Sequence, residues 1–209
     1  MFKVKIARPG GKDASWVELP ATGEQLLAAM KQARIDSPKA AHSVVLSCSG
    51  ISATLAERLG EHPNLEKPNF FAGRLAALDD HQIRKLETVC KAVPAYGDPG
   101  YLARLINLTY NLDCWLLIDG IHTPEQLGEY YIFHSGVCQM PDSWKYSVPL
   151  CEFGERVAKT ENGRFTEYGY LMRTGDEYKE HFTGRTVPQK YRVPEADRER
   201  QKPKQRHER

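Results

Sequence analysis

Seven histidines and five cysteines are the side chains of this 209-residue chain best suited to hold a metal or attack a substrate. Their spacing argues against both. The cysteines (Cys48, Cys90, Cys114, Cys138, Cys151) include no Cys-x-x-Cys pair, so neither a zinc ribbon nor a dithiol redox motif can be written. The best metal set is His122, His134 and Cys138, but Gly136 interrupts the helix that would align the last two. Ser47-Cys48-Ser49-Gly50 is not a nucleophile elbow, and Cys48 falls at the end of an expected strand. Cys90 lies on an apolar helical face, where a buried thiol is the plain reading. Gly10-Gly11 lacks the rest of a phosphate-binding loop and reads as a hairpin turn. Asp79-Asp80 reads as helix capping, not as a catalytic carboxylate pair. The expectation is no catalytic residue, no metal and no cofactor.

Charge is more informative than nucleophiles. Residues 1–109 carry 14 Lys/Arg and 11 Asp/Glu, residues 110–183 carry 6 and 12, and residues 184–209 carry 9 and 4. The overall net of +2 therefore hides an acidic segment between a mildly basic front and a basic tail. The acids Asp113, Asp119, Glu125 and Glu129 interleave with Trp115, Tyr130 and Tyr131, and Glu152, Glu155 and Glu161 follow on the next expected helix. On spacing alone this is a solvated helix face. The tail reads either as a solubilising appendage or as a nucleic-acid contact.

The elements that must position these residues follow from periodicity. Phe2, Val4 and Ile6 alternate as a strand, Trp16–Leu19 pairs with it across the Pro9–Asp13 turn, and Ser43–Cys48 reads as a third strand. Thr22 with Gln25 forms a capping box for the helix carrying Leu26, Leu27, Met30 and Ala33, which Asp36-Ser37-Pro38 stops. Helices are expected at 53–59, closed by Gly60, at 70–78 capped by Asn69, at 81–93 capped by Asp79 or Asp80, and at 101–111 after the Pro94–Gly100 breaker. Cys114–Ile118 reads as a core strand. Thr123-Pro124-Glu125 opens a helix carrying Leu127, Tyr130 and Tyr131; 149–160 is helical and 164–173 a strand. The fold expected is α+β, a row of three small domains: an N-terminal sheet with a helix over 1–62, a central helical domain over 63–109 and a C-terminal α+β domain over 110–183. A flexible basic tail, 184–209, ends it, with Arg198–Arg209 disordered or frayed.

Several stretches lie in one collinear order: Phe2-Lys3-Val4; Val17 to Thr22; Asn69 to Asp80; Leu105 to Thr109; Asn111-Leu112-Asp113-Cys114; Leu127-Gly128-Glu129-Tyr130-Tyr131; Cys151 to Glu155; and Gly169-Tyr170. That order resembles the ArdA-like antirestriction proteins of mobile elements, over roughly residues 2–175. The resemblance implies three domains in an elongated, curved homodimer joined through the C-terminal domains. It also implies a carboxylate surface that imitates duplex phosphates and occupies the DNA groove of a type I restriction–modification enzyme. Carried onto this chain, the mimic surface is Asp113, Asp119, Glu125, Glu129, Glu152, Glu155 and Glu161. Trp115, Leu127, Tyr130 and Tyr131 supply more apolar surface than a small terminal domain needs, and are the expected dimer interface. Glu129 stands where the family often has arginine, and this chain is net basic where the known mimics are acidic.

Two other readings remain beside this one. A CRISPR nuclease has basic nucleic-acid channels that a carboxylate surface would also fit. Alternatively, the basic front and tail bind nucleic acid directly. No apolar run reaches the roughly 18 residues of a membrane span, and the N-terminus alternates as a strand, so a cytoplasmic protein without membrane contact is expected.

Overall fold

Alternation of apolar and polar side chains builds the first sheet. In the computed structural model, which describes residues 1–35, 44–59, 65–92 and 101–194, β1 (Phe2–Ala7), β2 (Ala14–Leu19) and β3 (Val44–Ser49) form an antiparallel sheet in the order β2-β1-β3. Phe2 faces Leu19 and Val4 faces Val17 across the β1–β2 ladder, so each inward residue meets an inward residue. A register shift after Lys5 marks a bulge against β3. Helix α1 (Gly23–Gln32) covers the apolar face with Leu26, Ala29 and Met30. Its capping box is formed: Gln25 N donates to Thr22 Oγ1 at 3.3 Å and Thr22 N to Gln25 Oε1 at 2.8 Å.

The helices are α2 (Ala53–Leu59), α3 (Glu66–Leu75), α4 (Asp80–Ala92), α5 (Tyr101–Leu108), α6 (Pro124–Glu129), α7 (Asp142–Lys145) and α8 (Leu150–Thr160). The second sheet has the order β4-β6-β5, with β4 (Trp115–Asp119), β5 (Arg164–Phe165) and β6 (Gly169–Arg173) antiparallel. The protein is thus α+β, with two small three-stranded sheets among the described residues. The expected interruptions at Asp36-Ser37-Pro38, Gly60 and Pro94–Gly100, and the segment Arg198–Arg209, lie outside the described residues.

Two expectations about local structure change. Helix α3 begins at Glu66, so Asn69 is inside it and does not cap it. Its fully buried side chain accepts from Ala21 N at 2.7 Å and donates to Ala21 O at 3.0 Å and Tyr191 O at 3.1 Å. The expected flexible tail is also packed over its first part. Val187 and Val193 are buried, Val193 N donates to Glu66 Oε1 at 3.1 Å, and the Tyr191 ring lies 5.2 Å from Phe70. The tail looked polar because only three of its described side chains are apolar or aromatic, and those three are the ones that pack.

The chain divides into two compact units. One comprises Met1–Ser52, Leu59–Gly73 and the segment from Thr186; the other comprises Ala53–Arg58 and Arg74–Arg185. Charge divides along the same lines. The first unit has 16 Lys/Arg and 10 Asp/Glu, the second 13 and 17.

In the second unit, Val89, Leu117 and Leu171 form one buried cluster and Ile121, Leu127 and Tyr170 another. Two asparagines four residues apart hold an extended segment. Asn107 Oδ1 accepts from His181 N and Phe182 N, both at 2.8 Å, and its Nδ2 donates to Phe182 O at 2.7 Å. Asn111 accepts from Lys179 N and donates to Lys179 O, each at 2.8 Å.

Candidate functional site: an acidic helix pair

Helices α6 and α8 carry four of the seven expected mimic carboxylates. Helix α6 starts as its sequence requires: Thr123 Oγ1 accepts from Gln126 N at 3.3 Å, Gln126 Oε1 accepts from Thr123 N at 3.2 Å, and Pro124 occupies the first turn. Glu125 and Glu129 are four apart on it and exposed; Glu152 and Glu155 are exposed on α8. The two helices cross at a pair of glycines. A Cβ on Gly128 would strike the Leu150 carbonyl, and one on Gly154 would strike the Pro124 carbonyl. Leu127-Gly128 and Phe153-Gly154 are therefore packing motifs that lock two acidic helices together.

The seven carboxylates do not share one situation. Asp119 lies 3.4 Å from Arg84 Nη2, which offsets its charge, and 3.8 Å from His81 Nε2. Glu161 is half-buried and accepts from Tyr131 at 2.6 Å and from Tyr170 at 2.8 Å. It organises the core edge and is not an outward charge. Asp113 is exposed, lining a cleft with Asp176, Glu177, Lys179 and His181. Among the described residues, no ion-pair partner or side-chain hydrogen bond engages the carboxylates of Glu125, Glu129, Glu152 or Glu155. Glu129 also borders a cleft of about 300 Å³ with Asp119, Tyr130 and His134.

The expected dimer residues are largely occupied inside their own unit. Leu127 is fully buried, and Tyr130 and Tyr131 pack against its cluster. Trp115 is half-buried, its Nε1 is buried without a hydrogen-bond partner, and the Arg173 guanidinium lies 4.9 Å from its ring. The apolar surface left open is elsewhere. Val137, Trp144 and Tyr146 are 69%, 67% and 83% exposed in the connection between α6 and α8. Sequence reasoning passed over these three. Two aromatics between helix signals, beside Pro141 and Asp142, were the available signal.

Burial pushes the Cys90 thiol up to about 11, against the lowering effect of Arg58, and burial also raises Cys48. Asp79 caps α4 by accepting from Gln82 N at 2.7 Å. His122 Nδ1 lies 3.0 Å from Thr166 O. Among the described residues, no three His, Cys, Asp or Glu side chains converge as metal ligands, and no helix is long and apolar enough to cross a membrane.

The chain matches no protein-family model, and no curated protein matches it.

Proposed function

We propose that this protein is an antirestriction protein, a DNA mimic that occupies the basic DNA groove of a type I restriction–modification enzyme. The observation that carries the reading is the set of four exposed carboxylates on the locked helices α6 and α8, unpartnered among the described residues. Unpaired carboxylates on a rigid scaffold favour association with a Lys/Arg surface that otherwise takes phosphates. The collinear resemblance to ArdA-like proteins supports the same target class, and the three-domain order and homodimer through 110–183 go with it. No covalent step is involved.

The test is protection of DNA from cleavage by a purified type I enzyme across a salt series. Each exposed pair contributes about 0–1 kcal/mol, so single Glu→Gln changes have little effect. Replacing Glu125, Glu129, Glu152 and Glu155 together weakens protection and flattens its salt dependence, while circular dichroism stays unchanged. Full protection by the folded quadruple variant overturns the reading.

The basic first unit favours one second reading, direct nucleic-acid binding, with 16 Lys/Arg against 10 Asp/Glu. Salt-dependent retention of a labelled DNA duplex, unaffected by the quadruple change, would favour it.

A further inference from the structure

We infer that Trp144 and Tyr146 are docking anchors for an arginine-bearing surface of the protein that the acidic helices engage. The inference rests on the mimicry reading and adds to it the contacts that hold the complex after encounter.

The first observation is how this chain treats its other aromatic rings. Arg74 lies 3.6 Å from the Tyr110 centroid, Arg173 4.9 Å from Trp115, Arg58 5.4 Å from Tyr101 and Lys91 5.9 Å from Tyr168. Four partly covered rings of the second unit thus have a cation over them, whereas Tyr130, Tyr131, Phe133 and Phe165 pack against other rings. Trp144 and Tyr146 are the two most exposed aromatic side chains among the described residues, and no cation lies over either. Their faces are open to a guanidinium, which stacks on indole and phenol rings better than an ammonium does.

The second observation is the charge around them. Residues 124–155 carry five Asp/Glu and one Lys/Arg; that one is Lys145, already paired with Asp142 at 2.8 Å. At this patch a second copy of this chain would bring like charge against like, so the homodimer proposed through 110–183 would join outside 124–155. A partner bearing arginines meets complementary charge and open rings together.

The third observation is that the backbone carrying both rings is held, and that the Tyr146 ring packs on a neighbour. Trp144 sits in α7, closed by the Lys145–Asp142 pair and by Ser147 N donating to Trp144 O at 3.0 Å. After α6 the backbone widens, Ser135 N donating to Tyr130 O at 2.8 Å, and this turn carries Phe133. The Phe133 ring lies 5.4 Å from that of Tyr146. Ordering such side chains on binding then costs little, as in binding hot spots rich in Trp, Tyr and Arg.

The experiment measures association and dissociation of the full chain with the purified type I enzyme at several salt concentrations. Trp144→Ala with Tyr146→Ala raises the dissociation rate about tenfold or more and leaves the salt slope as in the parent. Trp144→Phe with Tyr146→Phe keeps a ring at each position and recovers most of the loss. The Glu125/Glu129/Glu152/Glu155 variant behaves differently, with slower association and a shallower slope. A double alanine variant that dissociates at the parental rate overturns the anchors and leaves mimicry standing. So does one that turns a dimer into a monomer while enzyme affinity holds, since the rings then serve a second copy. If the parental chain binds no type I enzyme, the mimicry reading and the anchors fall together.

Discussion

Tyr131 donates its hydroxyl to Glu161 at 2.6 Å, and the other carboxylate oxygen of Glu161 accepts from Tyr170 at 2.8 Å. One carboxylate therefore ties the turn after α6 to β6 from the end of α8. Glu161→Gln removes the charge that both hydroxyls address. Hydrogen bonds to charged groups contribute about 1.5–3 kcal/mol, so the melting temperature falls by several degrees. On the proposed function, protection of DNA by the folded variant is unchanged, because Glu161 is engaged by the two tyrosines. Loss of inhibition at constant stability would place it on the docking surface instead.

The same cluster sets a pH dependence. Burial first, then the hydrogen bond to Glu161, holds the Tyr131 and Tyr170 hydroxyls well above the usual tyrosine range. Raised values favour the protonated form in the folded state. Their stabilisation is complete below the ordinary tyrosine value of about 10 and is lost as pH rises above it, where the unfolded chain ionises first. Thermal melts between pH 9 and 11 check this. Tyr131→Phe with Tyr170→Phe makes the decline shallower.

Gly154→Ala tests the helix crossing. In an isolated helix alanine is favoured over glycine by about 1 kcal/mol. Here the added methyl meets the Pro124 backbone carbonyl, which cannot rotate aside. Overpacking of this kind costs about 1–3 kcal/mol and outweighs the propensity gain. A higher melting temperature would mean that α6 and α8 separate without penalty.

Removal of residues 184–209 destabilises the first unit. It deletes the buried Val187 and Val193 and leaves Asn69 Nδ2 without the Tyr191 carbonyl. Asn69 Nδ2 keeps its bond to Ala21 O, so the lost bond costs about 0.5–1.5 kcal/mol, to which the lost apolar burial is added. Denaturant unfolding of the truncated chain shows a lower midpoint for this unit. An unchanged midpoint would make the segment an appendage after all.

Thiol labelling separates the cysteines. Cys151 is exposed on α8 and reacts at pH 8 in the native state. Cys90 is buried and pushed up to about 11, so it labels only on unfolding. Equal native rates would mean that α4 opens readily.

What the sequence made legible was local. The boxes at Thr22 and Thr123 close over three residues, and the strand alternation of Phe2, Val4 and Ile6 is written in consecutive positions. Asn69 shows the limit. Preceding an apolar run, it has the form of a cap, yet its partners are 48 and 122 residues away and no local pattern announces them. The acidic helices were legible as composition, but whether a carboxylate is free depends on tertiary neighbours. Glu155 and Glu161 look alike in sequence; only the second meets two tyrosines. The aromatics behaved likewise: periodicity places Tyr131 on a helix without saying that it will be covered, and it places Tyr146 on no element at all.

Asn69 holds Ala21 on one side and Tyr191 on the other, which bears on the order in which the protein can form during synthesis. Domains generally fold as units while the ribosome is still working, the earlier-made one first. Here the earlier strands belong to a unit that also needs Val187, Tyr191 and Val193, whereas Arg74–Arg185 lies within one continuous run. The later-made body can close while β1, β2 and α1 still wait for their last contacts. A chain cut short before residue 186 and released would carry that acidic body with an unfinished, protease-sensitive first unit, and helices α6 and α8 would be assembled ahead of the sheet made before them.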